Sequence, residues 1–349
     1  MAGIAPFLFV AVPALAYLIV TVLTPVALRL GTRLQIVDRP GGRRAHKGEV
    51  VRIGGLGIYP AFAAAALLPV VLGSPREDPL EITRLYGVLL GMGVVWIVGL
   101  LDDRFKLPPA AQLGGLVLAS VIAVLFKVFI ERFNNPFTDT QIIVDWYLML
   151  PISLAWITGM TNMINSIDGL DGLAAGVTGI ASAILSIHMF RLGQFSVSLL
   201  PLALLGCCLG FLRYNSAPAR IFLGGGAYVL GYGLATISIV SGAKVASALL
   251  VMWLPIVDLV WQVYSRWRRG QPISLGDRGH LHLRLQDLGW SQRHIVALYC
   301  GVTALLGAVA LLIPNRMLKL ALLIAFGLVF VWFVTSVARR GGEDVASGD

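Results

Sequence analysis

The chain has 349 residues and a mean hydropathy of +0.83, with 57% hydrophobic and only 13% charged residues. Soluble globular proteins carry about 25% charged residues, so this composition excludes that class and indicates an integral membrane protein. The net charge of +9 is attributed to membrane topology and to attraction to anionic headgroups, and not to nucleic-acid binding. The sequence has no zinc-ligand spacing and no interleaving of aromatic and basic residues.

Apolar runs recur along the whole chain. Each is long enough to cross a bilayer as a helix, which takes about 17 to 25 residues, and together they predict an all-α, polytopic bundle of about eleven spans within one domain over 1–338. The predicted spans are 4–28, 53–73, 84–101, 110–130, 144–161, 172–190, 196–212, 226–242, 245–265, 294–313 and 318–338.

The distribution of basic residues predicts the orientation of the bundle. No basic residue precedes the first span, whose apolar stretch is too long for a cleaved signal, and the first arginine is Arg29. Because Lys and Arg concentrate on the cytoplasmic side, the N-terminus is expected outside and the C-terminus inside, with 339–349 as a disordered tail. The other cytoplasmic segments are then 29–52, 102–109, 162–172, 213–226 and 266–293.

The stretch "NMINSIDGLDGLAAG" places regularly spaced polar residues between two apolar runs. Steps of three residues on a helix drift by about 60° each, so an unbroken helix would spread these side chains over half its surface. Two interrupting glycines instead predict a helix break with several side chains facing one site. Polar helix packing by the asparagines is the alternative. The polar residues are Asn162, Asn165, Asp168 and Asp171.

Three further polar segments fall on the same predicted side of the membrane. "GLLDDRF" carries Asp102 and Asp103, "RYNSAPARIFLGGGAY" joins two spans, and the long loop "RWRRGQPISLGDRGHLHLRLQDLG" carries histidines and arginines. This convergence predicts a single cytoplasmic site. Neighbouring residues on a helix point in different directions, so the two adjacent acids are not expected to share one ion pair.

The residue types in these segments point to phosphate chemistry. Carboxylate and amide oxygens bind hard cations such as Mg²⁺, and such a cation can neutralise and position a pyrophosphate. Arginine and histidine can donate to phosphate oxygens. A site at the inner face would suit one lipid-bound and one water-soluble phosphate substrate.

These segments resemble the polyprenyl-phosphate N-acetylhexosamine-1-phosphate transferases of glycosyltransferase family 4, and most closely their bacterial undecaprenyl-phosphate branch. The matching motifs cover most of the chain: "RRAHKGEVVRIGGLGIY", "GLLDDRF", "NMINSIDGLDGLAAG", "APARIFLG", "PIVD" and "GDRGHLHLRLQDLG". The resemblance implies transfer of the sugar-1-phosphate from a UDP-N-acetylhexosamine to undecaprenyl phosphate, with release of UMP. Such a reaction begins an envelope glycan, such as teichoic acid or the O-antigen of lipopolysaccharide, at the bacterial plasma membrane.

The resemblance also implies a cofactor and a set of site residues. Mg²⁺ is the implied cofactor, with Mn²⁺ as a substitute, and a homodimer stays open. The metal neighbours are Asn165 and Asp103. The acid pair surrounds the lipid phosphate, the acids of the "DGLDG" stretch line the nucleotide-sugar site, and the histidine loop binds the donor phosphates. The implied catalytic residues are Asp102, Asp103, Asp168 and Asp171, and the implied substrate-binding residues are Asn162, His46, Arg52, Arg278, His280, His282 and Arg284.

The chain departs from the family pattern at two places. After "IFLG" the family has an Asp that binds Mg²⁺, whereas this chain has Gly225; and Leu283 stands where the family has a further histidine. Loss of a carboxylate ligand predicts weaker Mg²⁺ binding. Three hypotheses stay open: an active transferase, a catalytically impaired relative that binds polyprenyl phosphate or a nucleotide sugar, and a transporter.

Overall fold

The computed structural model describes residues 5–38, 48–135, 140–240, 245–271, 279–313, 315, 317–329 and 331–332. Its helices are α1 Leu8–Arg33, α2 Ile58–Val71, α3 Glu81–Phe105, α4 Pro109–Leu125, α5 Trp146–Ile167, α6 Leu173–Arg191, α7 Phe195–Asn215, α8 Gly226–Val240, α9 Val245–Val251, α10 Trp253–Arg268, α11 Leu281–Asp287, α12 Gln292–Leu312 and α13 Met317–Val329. A 3₁₀ turn covers Gly54–Gly57. Two antiparallel pairs are formed by β1 Val37–Asp38 with β2 Val50–Val51, and by β3 Arg132–Asn134 with β4 Gln141–Ile143.

The helical, polytopic fold predicted from the sequence is confirmed. Among the described residues, seven helices are long and apolar enough to cross a membrane, and α4, α8 and α13 are apolar but shorter. The predicted number of eleven spans and the orientation of the termini stay predictions.

One predicted span is divided into two helices in the structure. The run 245–265 is two helices, α9 and α10, separated at Met252. Pro255 lies next to this break and offers no N–H to the carbonyl of Val251, where α9 ends, whereas Pro151 and Pro201 lie inside helices that are not broken. The second helix then continues to Arg268, beyond the predicted boundary.

Helix α8 lies at the centre of the bundle. Every residue from Gly226 to Val240 is buried, and the helix packs against α3, α5, α6 and α7. A helix that is apolar all round is expected to be surrounded by other helices. The residues at its N-terminal end touch the backbones of neighbouring elements: a Cβ at Gly225 would overlap the backbone of Gly99, and one at Gly226 would overlap Gly55.

Backbone hydrogen bonds join the segment after β2 to the segment before α8. Val51 and Ile221 form a parallel bridge, and the N–H of Phe222 donates to the carbonyl of Val51 at 2.9 Å. The N–H of Gly54 donates to the carbonyl of Phe222 at 3.0 Å. Arg52 stands between these contacts and is therefore held beside the start of α8.

Candidate active site

The "DGLDG" stretch is a turn between two helices, as the glycines predicted. Helix α5 ends at Ile167, and α6 begins at Leu173. Gly172 has a φ of +79°, a left-handed conformation that glycine adopts without steric cost. Its N–H donates to Oδ1 of Asn215 at 2.9 Å, and Nδ2 of Asn215 donates to the carbonyl of Ile221 at 2.9 Å. Asn215, which the sequence analysis did not single out, thus ties the turn to the segment before α8.

Asp102 and Asp103 lie buried in the last turn of α3, and both pair with Arg52. Its Nη2 lies 3.7 Å from Oδ2 of Asp102, and its Nε lies 3.3 Å from Oδ1 of Asp103. The expectation that the adjacent acids would not share an ion pair is wrong. A guanidinium carries donors along a planar fork, so one arginine can reach two carboxylates that point apart.

The glycine segment before α8 supplies backbone donors to the acids. The N–H of Gly225 faces both carboxylate oxygens of Asp103, at 3.0 and 2.9 Å. Gly224 has a φ of +56°, and a Cβ there would press against the same carboxylate. The N-terminus of a helix carries partial positive charge, so the start of α8 stabilises the negative charge of Asp103. Because Gly225 also touches the backbone of Gly99, the segment has no room for an acidic side chain at that position.

Asp168 joins this cluster from the turn after α5. Burial raises the pKa of its carboxyl well above the usual value, and the neighbouring carboxylates of Asp103 and Asp171 raise it further. The Arg52 guanidinium and a hydrogen bond from the N–H of Gly224 act in the opposite direction. Carboxyl groups whose pKa is raised by burial and by neighbouring charges cluster at functional sites.

Asp171 contacts the loop between α7 and α8. Its Oδ2 accepts a hydrogen bond from the N–H of Ala219 at 2.9 Å. This bond holds the loop between α7 and α8 against the turn. The predicted place of Asp171 beside a nucleotide sugar is not tested by this contact.

The histidine segment reaches the same end of the bundle through Asp258. Oδ2 of Asp258 lies 3.2 Å from Nδ1 of His280, and its Oδ1 accepts the N–H of Leu281 at 2.9 Å. His282 is buried and stacks on His280, with ring centroids 5.6 Å apart. Its Nε2 lies against Gly169, where a Cβ would be only 2.8 Å away. The structure thus brings the histidines to the "DGLDG" turn.

The remaining predicted residues are placed less closely. Asn162 is exposed and Asn165 is partly buried near the end of α5, and neither side chain hydrogen bonds to the described residues. Arg284 lies partly buried on α11. His46 and Arg278 lie outside the described residues.

Two contacting residues were missed by the sequence analysis. Gln112, in the first turn of α4, donates to Asp102 at 2.9 Å, and Tyr228 donates to Gln112 at 3.0 Å. A lone glutamine gives no sequence signal. Tyr228 stands at the end of the "GGGAY" segment, where the family resemblance already marked a departure.

Comparisons with known proteins match this arrangement. Residues 85–242 match the family model described as Glycosyl transferase family 4. The chain is 30% identical over 296 residues to the Decaprenyl-phosphate N-acetylglucosaminephosphotransferase of Mycobacterium leprae, an alignment that covers 77% of this chain and 74% of the relative. The chain belongs to glycosyl transferase family 4. The family match includes Asp102, Asp103, the "DGLDG" turn and the glycine segment.

Two other proteins resemble the chain over similar lengths. It is 29% identical over 332 residues to the Probable undecaprenyl-phosphate N-acetylglucosaminyl 1-phosphate transferase of Bacillus subtilis, covering 93% of this chain and 90% of the relative. It is 28% identical over 306 residues to a Phospho-N-acetylmuramoyl-pentapeptide-transferase of Clostridium perfringens, covering 83% of this chain and 91% of the relative. These alignments extend well beyond residues 85–242.

Proposed function

We propose that this family 4 protein transfers N-acetylhexosamine-1-phosphate from a UDP-sugar to polyprenyl phosphate and releases UMP. The observation that carries the proposal is the convergence of four carboxylates with Arg52 at one end of the bundle. The names of the Bacillus and Mycobacterium relatives support a polyprenyl phosphate acceptor and an N-acetylglucosamine donor. The proposed donor is therefore UDP-N-acetylglucosamine.

In this reaction an oxygen of the lipid phosphate attacks the sugar-bearing phosphorus, and the bridging P–O bond to UMP breaks. Arg52 lies between the buried acids and the surface, with 32% of its side chain exposed, so it can donate to a phosphate while it neutralises the acids. Asp102 keeps the approaching lipid phosphate deprotonated by accepting its proton, and Asp103 is the neighbouring carboxylate of the pair. His280, held through Nδ1 by Asp258, is proposed to contact the donor phosphates.

Mg²⁺ is proposed as the cofactor because the donor set suits it. Mg²⁺ prefers oxygen ligands and is commonly bound by one or two carboxylates together with substrate phosphates. Asp103 and Asp168 would hold it, with Asn165 nearby, and it would neutralise the charge of the pyrophosphate. Within the described residues no group of three or more Asp, Glu, His or Cys residues is arranged as a metal site. Substrate oxygens would therefore have to complete the coordination.

The proposed location of the site is the cytoplasmic face of a bacterial plasma membrane. The segments that meet at the site are those in which the sequence concentrates arginine, a cytoplasmic signal. A UDP-sugar reaches this face from the cytoplasm, and the lipid phosphate reaches it within the bilayer. A homodimer stays a prediction.

A second candidate function is binding of polyprenyl phosphate or a nucleotide sugar without turnover. The observation that favours it is Gly225, where the backbone of Gly99 leaves no room for the acid that the family resemblance leads one to expect. A transporter is not favoured, since the described polar groups converge at one end of the bundle.

The experiment that tests the proposal follows radiolabel from UDP-N-acetylglucosamine to undecaprenyl phosphate with purified protein in detergent. Parallel reactions contain UDP-N-acetylgalactosamine as donor, or EDTA in place of Mg²⁺. Labelled lipid formed from UDP-N-acetylglucosamine only with Mg²⁺ is the expected result. Saturable binding of either substrate without labelled lipid would instead establish the second candidate.

A further inference from the structure

A chain of hydrogen bonds links α8 to the acid pair through a residue of α4. The hydroxyl of Tyr228 donates to Oε1 of Gln112 at 3.0 Å. Nε2 of Gln112 donates to Oδ1 of Asp102 and to the carbonyl of Leu107, each at 2.9 Å. Tyr228 and Asp102 are both buried. The chain therefore joins the first turn of α8, the first turn of α4 and the last turn of α3.

The partners of Gln112 allow only one orientation of its amide. Asp102 and the carbonyl of Leu107 can only accept, so they require the NH₂ group. The hydroxyl of Tyr228 can donate, so it matches the amide oxygen. A flipped amide would place its oxygen against two acceptors without a hydrogen between them, which is costly in a buried site. Tyr228 and Leu107 together thus fix the amide orientation in which the NH₂ group of Gln112 donates to Oδ1 of Asp102.

We propose that Gln112 and Tyr228 are positioning residues for Asp102. The proposal rests on the proposed transferase function, in which Asp102 contacts the lipid phosphate. Gln112 holds Oδ1 with a neutral donor, which orients the carboxylate without cancelling its charge. Oδ2 remains on the side of Arg52, 3.7 Å from Nη2.

The segment from Gly225 to Tyr228 then orients both acids of the pair. Gly225 holds Asp103 directly through its N–H, and Tyr228 holds Asp102 through Gln112. The segment that lacks an acidic side chain thus donates one hydrogen bond to Asp103 directly and supports the donor of Asp102 through Gln112. Precise placement of reacting groups is worth large factors in rate, so this support is expected to affect turnover.

The test compares Tyr228→Phe, Gln112→Ala and the double variant with Tyr232→Phe as the matched control. Tyr232 lies one turn further along α8, and its hydroxyl also bonds to α3 and α4, at the carbonyls of Gly87 (3.2 Å) and Ala119 (3.3 Å), but it does not contact the acids. Loss of one neutral hydrogen bond predicts a fall of about five- to tenfold in kcat for Tyr228→Phe. The KM for the UDP-sugar should stay within about twofold of wild type, since Asp102 acts on the lipid phosphate.

The double variant decides whether the two residues act in series. If they do, Tyr228→Phe adds nothing to the loss in Gln112→Ala. The control Tyr232→Phe should leave kcat per folded molecule unchanged. Independent, additive losses, or an equal loss in Tyr232→Phe, would overturn the proposal.

A second measurement keeps the test independent of turnover. Hydrogen exchange of the peptide over 106–112 should be faster in Tyr228→Phe than in wild type and unchanged in Tyr232→Phe, because the bond between Gln112 and Leu107 loses its support. Equal exchange rates in both variants would refute the proposed series of hydrogen bonds. If wild type forms no product, the proposed function fails, and the exchange result still decides for or against the hydrogen-bond chain.

Discussion

Both ends of α3 carry buried acids, but those acids have different partners. At the first end, Glu81 pairs with Arg76 at 3.5 Å and accepts from the hydroxyl of Ser196 at 2.8 Å. Glu77, an exposed acid just before α3, accepts the backbone N–H of Phe195 at 2.9 Å, and its Oε2 lies 2.9 Å from Oγ of Ser196. These bonds attach the start of α3 to the start of α7. At this end, the carboxylates accept hydrogen bonds that join the two helices.

At the other end of α3, acids outnumber their cation. Asp102 and Asp103 share Arg52, and Asp168 and Asp171 add two further carboxylates nearby. Backbone N–H groups supply part of the compensation, but they carry no full charge. Acidic groups crowded beside a single cation are unfavourable for folding, and acids whose pKa is perturbed in this way cluster at functional sites. We therefore propose that the first end serves stability and that the second serves binding and chemistry.

The largest effect is expected from removing the shared cation. Arg52→Gln leaves the acids uncompensated and removes the proposed phosphate donor, so turnover should fall by about a hundredfold or more. Arg52→Lys keeps the charge but loses the fork that reaches both acids, and should recover only part of the rate. Initial rates of lipid labelling measure both variants. Equal rates for wild type and Arg52→Gln would remove Arg52 from the site.

Filling the glycine contact should cost stability. Gly225→Ala forces a methyl group into the backbone of Gly99, and overpacking of this kind costs about 1–3 kcal/mol; Gly225→Asp should cost more. Gly114→Ala is the matched control, because a Cβ there meets nothing within 4 Å. Thermal unfolding in detergent compares the three variants. A folded Gly225→Asp protein with tighter Mg²⁺ binding would demonstrate that the segment can accept an acid.

The histidine segment offers a test of donor binding. Asp258→Asn should raise the KM for the UDP-sugar about five- to tenfold by losing a charge-assisted bond to His280, with the KM for polyprenyl phosphate unchanged. Asp145→Asn serves as a control, since among the described residues the side chain of Asp145 bonds only locally, to Tyr147. Steady-state kinetics with each substrate varied in turn measure the effect. Equal changes in both KM values would argue for general disruption of the site.

The smallest effect is expected at Asp171. An asparagine there can still accept the N–H of Ala219, so Asp171→Asn should change donor kcat/KM less than Asp171→Ala, which loses the bond that orders the loop. A difference of about fivefold between the two variants is expected. Donor kinetics measure it. Identical losses in both would assign the effect to charge rather than to the loop.

The sequence predicted the convergence of the polar segments because helix breaks and basic loops are local signals. The break before α10 did not follow from Pro255 alone, because Pro151 and Pro201 lie inside unbroken helices, but the turn at Asp168 could be predicted from two glycines. The shared pairing of Arg52 could not, since it depends on backbone bonds between Val51 and Phe222 that join distant parts of the chain. The crowding at Gly225 is likewise a tertiary contact.

The most direct test of the contrast between the two ends of α3 is a paired measurement on Asp103→Asn and Glu81→Gln. Turnover per folded molecule and the free energy of unfolding are measured for both. Asp103→Asn should lose about a hundredfold or more in turnover while remaining folded. Glu81→Gln should lose about 3 kcal/mol of stability, because Arg76 is left without its buried partner, and should keep its turnover. Near-normal turnover in Asp103→Asn, or a turnover loss of the same size in Glu81→Gln, would contradict the assignment of chemistry to one end and stability to the other.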